Sequence, residues 1–287
     1  GSRERSVSVS EADPSSSESK SLFSTFIESE EVDMNKIIIQ EPQELAKLRN
    51  CKILRVSHSR LHAFPAAVVE LPNLTLLDMS HNRMSRFPAN MHDMKTLTEL
   101  NMERTFLPNP FPNELTHIPS LTKLVVNDNK LTCDKFAHIN EMNTLLELEV
   151  ANNQLDNFPC DKFPQLEVLN MCGNAMHGIG NIFKLEFLQR LTLSGNQLTD
   201  IQGIGNLKHL RYLDVSHNWN LCELPEDIDS VTELRELNIK YTMIREIPTC
   251  MSRLQHFEVL KLTWIHSSIS GFATLMLNFS GVPADVT

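Results

Sequence analysis

The chain has 287 residues, of which 41% are apolar and 22% are charged, and its formal net charge is −10. This apolar content is enough for a hydrophobic core. The acidic balance argues against nucleic acid as a partner, because phosphate binding needs clustered Lys and Arg. It also argues against an anionic membrane surface, and no apolar run reaches the roughly 18 residues of a membrane-spanning helix.

Six cysteines are scattered along the chain, without a Cys-x-x-Cys pair: Cys51, Cys133, Cys160, Cys172, Cys222 and Cys250. Their spacing is neither that of a zinc site nor that of a disulfide-rich end cap. It predicts free thiols and a cytoplasmic location, with the nucleus as a further compartment. Two sequons, at Asn73 and Asn278, keep an extracellular location open as an alternative.

Residues 1–31 are rich in Ser and Glu and poor in aromatic side chains. Such a composition does not bury enough surface to fold, so we predict a disordered tail over residues 1–33. The stretch RERSVS (3–8) resembles a basophilic kinase site, which makes Ser8 a candidate phosphosite. An unmodified, solvated tail is the alternative.

Residues 34–50 hold three consecutive isoleucines and then Pro42, which opens a short helical stretch. They directly precede a series of repeats. An array of repeats has to cover its first open edge, so we interpret residues 34–50 as an amino-terminal cap.

From residue 51 the pattern L-x-x-L-x-L-x-x-N-x-L recurs every 21 to 24 residues, as in LQRLTLSGNQL (188–198). The Leu-x-Leu alternation is the period of a strand with one buried face. A single repeat does not bury its leucines alone, so neighbouring repeats must stack. The ten repeats begin at Cys51, Leu74, Leu97, Leu121, Leu145, Leu166, Leu188, Leu210, Leu234 and Phe257.

Residues 51–264 therefore resemble the leucine-rich-repeat family. The resemblance implies an α/β solenoid of about ten repeats, a curved right-handed superhelix with a parallel sheet on its concave face and short helices or extended segments on its convex face. The Phe-Pro, Leu-Pro and Ile-Pro steps are similar to those of intracellular Scribble and Ras-scaffold proteins. The Gly-Ile-Gly sequences at 178–180 and 203–205 are similar to the regulator of type-1 protein phosphatase.

Two columns of the repeat predict structure rather than function. An asparagine amide can satisfy backbone groups where each strand turns, at Asn82, Asn129, Asn153, Asn174, Asn196 and Asn218. Ser59, Thr105 and Thr242 stand at this position in other repeats and keep part of that bonding. A large apolar side chain on the return segment is expected to be buried, at Phe64, Phe87, Phe111, Phe136, Phe158, Ile179, Ile201, Leu224 and Ile247.

The register of the repeat is lost after Trp264, and Ile265 replaces the asparagine. We interpret residues 265–287 as a degenerate carboxyl-terminal cap or tail. Whether the chain is a fragment of a larger protein stays open.

The sequence shows no phosphate-binding loop, no zinc-protease motif and no nucleophile elbow, which predicts a protein that is not an enzyme and that takes no cofactor, metal or small-molecule substrate. Three Ser-His steps, at 57–58, 80–81 and 216–217, resemble part of a catalytic triad. Neighbouring side chains on one strand do not converge as such a triad must. Cys172 is predicted to face outward from its strand with no base in register, as a small packing surface.

The outward-facing strand positions form the predicted partner site. Both tyrosines and both tryptophans lie in the last three repeats, and interface energy concentrates on Tyr, Trp and Arg. We expect the rings of Tyr212 and Tyr241 to stand about 5 to 10 Å apart on neighbouring strands, beside Arg235 and Lys240. Trp219 has two interpretations, packing or contact. The candidate partner-binding residues are Tyr212, Asp214, Arg235, Lys240, Tyr241, Trp264, Glu147, Glu149 and Arg190.

The leading functional prediction is a non-catalytic scaffold or adaptor that binds another protein on its concave face. The first alternative is the regulatory repeat segment of a larger signalling enzyme, such as a kinase, phosphatase or GTPase. The second alternative is a secreted protein or a receptor ectodomain.

Overall fold

The computed structural model describes residues 23–108, 110–136 and 139–262, and the backbone of Ala284–Val286. Ser8, Trp264 and Ile265 lie outside the described residues. The chain divides into two compact units, which we describe separately. The first unit comprises Gly1–Lys130 and Asp134–Leu145, and the second comprises Leu131–Cys133 and Leu146–Thr287.

Each repeat contributes one short strand. The first unit holds β1 (Glu31–Asp33), β2 (Ile53–Arg55), β3 (Leu76–Asp78), β4 (Glu99–Asn101) and β5 (Lys123–Val125). The second unit holds β6 (Glu147–Glu149), β7 (Val168–Asn170), β8 (Arg190–Thr192), β9 (Tyr212–Asp214), β10 (Glu236–Asn238), β11 (Val259–Leu262) and β12 (Ala284–Val286).

The return segments contain short helices. Two are α-helical turns, at Ala66–Val69 and Cys133–Phe136. The 3-10 helices are Pro42–Lys47, Met91–Asp93, Asn113–His117, Cys160–Lys162, Ile182–Lys184, Ile204–Asn206, Glu226–Ser230 and Thr249–Arg253. Among the described residues, every helix falls short of the length and apolar character that crossing a membrane requires.

The strands of each unit are parallel and lie in sequence order. The central leucines are register partners from repeat to repeat, such as Leu54 with Leu77 and Leu191 with Leu213. These central leucines are buried, because alternate side chains of a β-strand point to the same face of the sheet. The predicted α/β leucine-rich-repeat fold of about ten repeats, with one short parallel strand per repeat and short helices on the return segments, is confirmed within each unit.

We number the repeat from its first leucine, so that the strand covers positions 3 to 5 and the asparagine is position 9. In six repeats an Asp or Asn at position 5 accepts a hydrogen bond from the backbone N–H of position 7, at 2.9 to 3.2 Å, and the strand ends there. This local hydrogen bond competes with the hydrogen bonds between neighbouring strands, and the chain turns away from the sheet. The residues whose side chains accept this hydrogen bond are Asp33, Asp78, Asn101, Asn170, Asp214 and Asn238.

The predicted asparagine bonding is confirmed. The Oδ1 atom of Asn82 accepts the backbone N–H groups of Ser59 and Leu61, each at 3.0 Å, and its Nδ2 atom donates to the carbonyls of Val56 and Met79. The same bonding, in whole or in part, recurs at Asn129, Asn153, Asn174, Asn196 and Asn218. Ser59, Thr105 and Thr242 each donate a hydroxyl to a carbonyl of their own repeat.

The apolar column on the return segments is also confirmed as core. Its side chains are buried, with Phe87 only half-buried. The rings of Phe111 and Phe136 stack with centroids 4.9 Å apart, and those of Phe64 and Phe87 lie 6.0 Å apart. A stacked core of this kind uses aromatic rings for their large buried area.

One predicted boundary is wrong, because ordered structure begins before residue 34. Strand β1 lies within the predicted tail and pairs with β2. The side chains of Phe23 and Phe26 are buried just ahead of it. These two aromatic rings bury apolar area. The average Ser and Glu content of residues 1–31 gave no indication of this burial.

Candidate functional site

Tyr212 lies at the centre of a polar network on the exposed sheet face of the second unit. The guanidinium carbon of Arg190, on β8, lies 3.6 Å from the centroid of the Tyr212 ring, and Nζ of Lys261, on β11, lies 5.9 Å from it. The Tyr212 hydroxyl donates to Oδ2 of Asp214 at 3.4 Å. Burial and the neighbouring Asp214 carboxylate raise the pKa of Tyr212 to about 12, so the phenol stays protonated.

Asp214 links Tyr212 to the neighbouring strand through hydrogen bonds. Its Oδ1 atom accepts the backbone N–H of Ser216 at 2.9 Å, and its Oδ2 atom also accepts Nδ2 of Asn238 at 3.0 Å. Asp214 is buried, whereas the residues at the same place on the other described strands from β1 to β11 are half-buried. Its expected role as an exposed contact residue is therefore corrected to a positioning role toward Tyr212. We call Arg190, Tyr212, Asp214, Asn238 and Lys261 the tyrosine network.

A second group lies where β9 and β10 turn outward. The rings of His217 and Tyr241 stack with centroids 4.4 Å apart, and the Trp219 ring lies 6.1 Å from that of Tyr241. Trp219 is 59% exposed and Tyr241 is 40% exposed, which is unusual for side chains of this size. We call His217, Trp219 and Tyr241 the aromatic cluster.

The expectation that Tyr212 and Tyr241 stand side by side is wrong. The register partner of Tyr212 on β10 is Glu236, and Tyr241 follows the end of that strand. Tyr241 adopts a left-handed backbone conformation, with φ of 57°, that directs the chain into the turn. The two tyrosines therefore belong to different groups on the same unit.

The remaining predicted residues are spread along the second unit. Arg235 is exposed, directly precedes β10 and pairs with Glu258 at 2.5 Å, so it lies at the opposite end of the strand from Tyr241. Lys240 is half-buried, and its backbone N–H donates to Asn238. Two carboxylates flank the buried central residue of β6: Glu147 and Glu149. Trp264 is outside the described residues.

The Ser-His steps do not form catalytic groups. Ser57, Ser80 and Ser216 are buried. The carboxylates of Asp78 and Asp214 accept the backbone N–H of the serine two residues later, rather than orienting an imidazole. Among the residues that the structure describes, no group of three or more His, Cys, Asp and Glu side chains has the arrangement to hold a metal ion.

Cys172 is half-buried and lies two residues after the end of β7, in the turn rather than on the strand as expected. Burial raises its pKa to about 11, and the nearby Asp214 carboxylate adds to the effect. A thiol with such a pKa is largely protonated at neutral pH and is a poor nucleophile. This supports the interpretation of Cys172 as a packing residue.

The exposure of Trp219 was left undecided in the sequence analysis, although its position within the repeat indicates an exposed side chain. Trp219 directly follows Asn218, at position 10, and the residues at this position in other repeats are mostly exposed, including Arg60, Arg83, Phe106, Lys130, Gln154, Gln197 and Met243. The stacking of Tyr241 on His217 had no such signal, because it depends on two side chains from different repeats.

Family models match two parts of the chain. Residues 148–277 match the family described as leucine-rich repeat region, and residues 49–107 match the family described as leucine rich repeat. A solved structure of an internalin from Listeria monocytogenes aligns with a TM-score of 0.68 at 17% identity, covering 91% of this chain and 76% of the internalin. At this identity the likeness shows the fold alone.

Curated relatives differ widely in kind. Toll-like receptor 1 of Homo sapiens is 33% identical over 107 residues, which are 36% of this chain and 14% of the receptor. Plant intracellular Ras-group-related LRR protein 8 of Oryza sativa subsp. japonica is 32% identical over 100 residues, 33% of this chain and 26% of that protein. The chain thus spans about a quarter or less of the length of these relatives.

Proposed function

Because this chain is a leucine-rich-repeat protein, we propose that it is a non-catalytic scaffold or adaptor that binds a partner protein on the exposed sheet face of its second unit and on the adjoining turns after β9 and β10, where the aromatic cluster lies. Protein interaction is the general role of this family. The observation that carries the finer proposal is the aromatic cluster, in which two large rings stay more than a third exposed although Tyr241 stacks on His217 and Trp219 lies tilted against Tyr241.

The two groups complement each other energetically. Tyr and Trp provide large contact areas at a low cost in conformational entropy, and they dominate the binding energy of many interfaces. Arg190 stacks on Tyr212, and the hydroxyl of Tyr212 bonds to Asp214, so this ring is held in place before binding. A preorganised side chain loses less freedom on association. We infer that the aromatic cluster supplies apolar contact and that the tyrosine network supplies orientation.

A second candidate function is the regulatory repeat segment of a larger signalling enzyme. The observation that favours it is the short span of this chain relative to its curated relatives. In that case the catalytic groups lie in another part of the protein, and the same sheet face binds a regulatory or catalytic domain. A full-length transcript separates the two candidates, because it either encodes a catalytic domain or does not.

We propose a cytoplasmic location, with the nucleus as a further compartment. The cysteines lie in six different repeats, and none is paired. Burial raises the pKa of the thiols of Cys51 and Cys160 to about 12, which keeps them protonated and unreactive. Unpaired cysteines are typical of reducing compartments.

The binding proposal is tested with a partner isolated by affinity purification and then titrated by calorimetry. Tyr212→Ala combined with Tyr241→Ala removes a ring from each group, and we expect at least about tenfold weaker binding, since hot-spot truncations cost about 2 kcal/mol or more. The matched double variant, Glu147→Ala with Glu149→Ala on β6, is expected to change mainly the association rate and its salt dependence.

Melting curves verify that both variants stay folded. Unchanged affinity of a folded tyrosine double variant would place the binding site elsewhere.

A further inference from the structure

A basic edge runs along the carboxyl ends of the strands of the first unit, at positions 8 and 10 of its repeats. Both columns lie just after the strands, and only one of the ten residues is acidic. In a chain with a net charge of −10, this edge reverses the overall sign. Because β1 pairs with β2, its segment is numbered as a further repeat that starts at Ser29. Position 8 holds Lys36, His58, His81, Arg104 and Asp128, and position 10 holds Ile38, Arg60, Arg83, Phe106 and Lys130.

The backbone fixes these side chains in rows. All five residues at position 8 have φ between 51° and 65°, and three of those at position 10 have φ of 55° or 56°. The N–H of His58 donates to the carbonyl of Ser80 at 3.2 Å, and that of His81 donates to the carbonyl of Glu103 at 2.7 Å. Successive repeats therefore place their position-8 residues in register, about 5 Å apart.

Four cations of this edge lack a carboxylate partner within the described part of the chain. Lys36, Arg60, Arg83 and Lys130 are exposed, and none of their charged nitrogen atoms lies within 4.0 Å of a carboxylate of the described residues. Arg104 is compensated, because its guanidinium lies 3.6 Å from Asp128, the one acidic side chain in the two columns, and 4.0 Å from Glu103. Glu103 also lies 3.8 Å from the ring of His81.

The environment of His58 is consistent with this charge. Its ring stacks on that of His81 with centroids 4.1 Å apart. Partial burial lowers the pKa of His58, and the electrostatic effects of His81, Lys36 and Arg104 lower it further, against an opposite effect of Asp78.

An apolar ring interrupts the basic row. Phe106, at position 10 between Arg83 and Lys130 in repeat order, is 60% exposed. The guanidinium carbon of Arg83 lies 6.0 Å from its ring centroid, within the range of a cation–π contact. An exposed phenylalanine flanked by unpaired cations combines apolar contact area with charge.

We propose that this basic edge, comprising Lys36, Arg60, Arg83, Phe106 and Lys130, binds an extended acidic segment of a partner protein, with an apolar side chain of that segment on Phe106. The cations are spread along a line at the spacing of the strands. A single phosphate group is bound best by guanidinium groups that converge on one point. An extended peptide instead places same-side carboxylates about 7 Å apart. The cations of the row start from backbones about 5 Å apart, and their long, flexible side chains can reach carboxylates at that spacing.

The site lies in the first unit and does not depend on the function proposed for the second. The probe is a fluorescein-labelled twelve-residue peptide with glutamate at alternate positions and one central leucine, measured by fluorescence anisotropy against the full chain. The control peptide carries glutamine in place of glutamate. We expect saturable binding of the acidic peptide alone, with an affinity that falls as salt rises.

Charge reversal locates the site. Arg60→Glu with Arg83→Glu is expected to weaken binding by at least about tenfold, because it reverses two charges of the row. The matched variant, Arg49→Glu with Lys95→Glu, changes net charge equally at exposed residues that precede β2 and β4, at the other edge of the sheet. It is expected to alter affinity by less than about twofold, since its charges lie away from the peptide. Phe106→Ala is expected to reduce binding of the leucine peptide but not that of an alanine version.

Three results would overturn the proposal. One is the absence of saturable binding of the acidic peptide at low salt. Another is an equal loss of binding in the two charge-reversal variants, with circular dichroism showing both folded. The third is tighter binding of a twelve-nucleotide single-stranded DNA than of the peptide, lost in Arg60→Glu with Arg83→Glu, which would assign the edge to nucleic acid.

Discussion

At the scale of single residues, Gly205 and Gly178 have different surroundings although both belong to Gly-Ile-Gly sequences. A Cβ atom on Gly205 would lie 2.5 Å from the backbone oxygen of Asp227 and 2.8 Å from its Oδ2. A Cβ atom on Gly178 would lie 3.8 Å from its nearest neighbour, an ordinary contact with Asp200. The first glycine is therefore required by packing between repeats, and the second is not.

We predict that Gly205→Ala lowers the free energy of unfolding by about 1–3 kcal/mol, as overpacking does. Gly178→Ala is expected to be neutral or to stabilise by up to about 1 kcal/mol, because alanine restricts the unfolded chain. Urea denaturation followed by circular dichroism measures both. Equal destabilisation by the two substitutions would show that the close contact with Asp227 is not the cause of the loss of stability.

At the scale of elements, the asparagine column links each strand to its neighbours. Asn196 accepts the N–H of Met176 at 3.0 Å and donates to the carbonyls of Met171 and Leu193, each at 2.9 Å. All of these groups are inside the stack. Buried polar groups that lose their partners cost more than an average hydrogen bond contributes. The column is thus a structural requirement of the turn.

Asn196→Ala is predicted to destabilise the protein by about 2–4 kcal/mol, because it leaves one N–H and two carbonyls without that partner. Asn206→Ala serves as the control, since the Asn206 amide donates to the Gly203 carbonyl at an exposed site. The control is expected to cost less than about 1 kcal/mol. If the two variants had the same melting temperature, the hydrogen bonds of the asparagine column would not be a structural requirement of the turn.

At the scale of the whole molecule, the repeat period predicted the strands, the buried leucines and the asparagine bonding, because each depends on residues within one repeat and its neighbours. The tyrosine network and the aromatic cluster were only partly predictable. The position of Tyr212 follows from register, but its stacking with Arg190 depends on side-chain conformations that a pattern does not encode. The burial of Phe23 and Phe26 was missed because they precede any recognisable repeat.

The cysteines give a prediction for the whole chain. Titration of thiols in denaturant, without reductant, should find six free groups, and a reduced sample should give the same value. In the folded protein Cys222 should react first, because it is the exposed cysteine, whereas Cys51 and Cys160 are buried and have raised pKa values. Fewer than six thiols in the untreated protein would indicate disulfides and an oxidising compartment.

A partner that binds as proposed covers the aromatic cluster, and the fluorescence of Trp219 reports directly on this contact. A Trp264→Phe background leaves Trp219 as the only tryptophan of the chain. Because this side chain is 59% exposed in the free protein, we predict that saturating partner moves its emission to shorter wavelength and reduces its quenching by acrylamide. Unchanged emission and quenching, at partner concentrations where calorimetry shows complete binding, would contradict the assignment of the site.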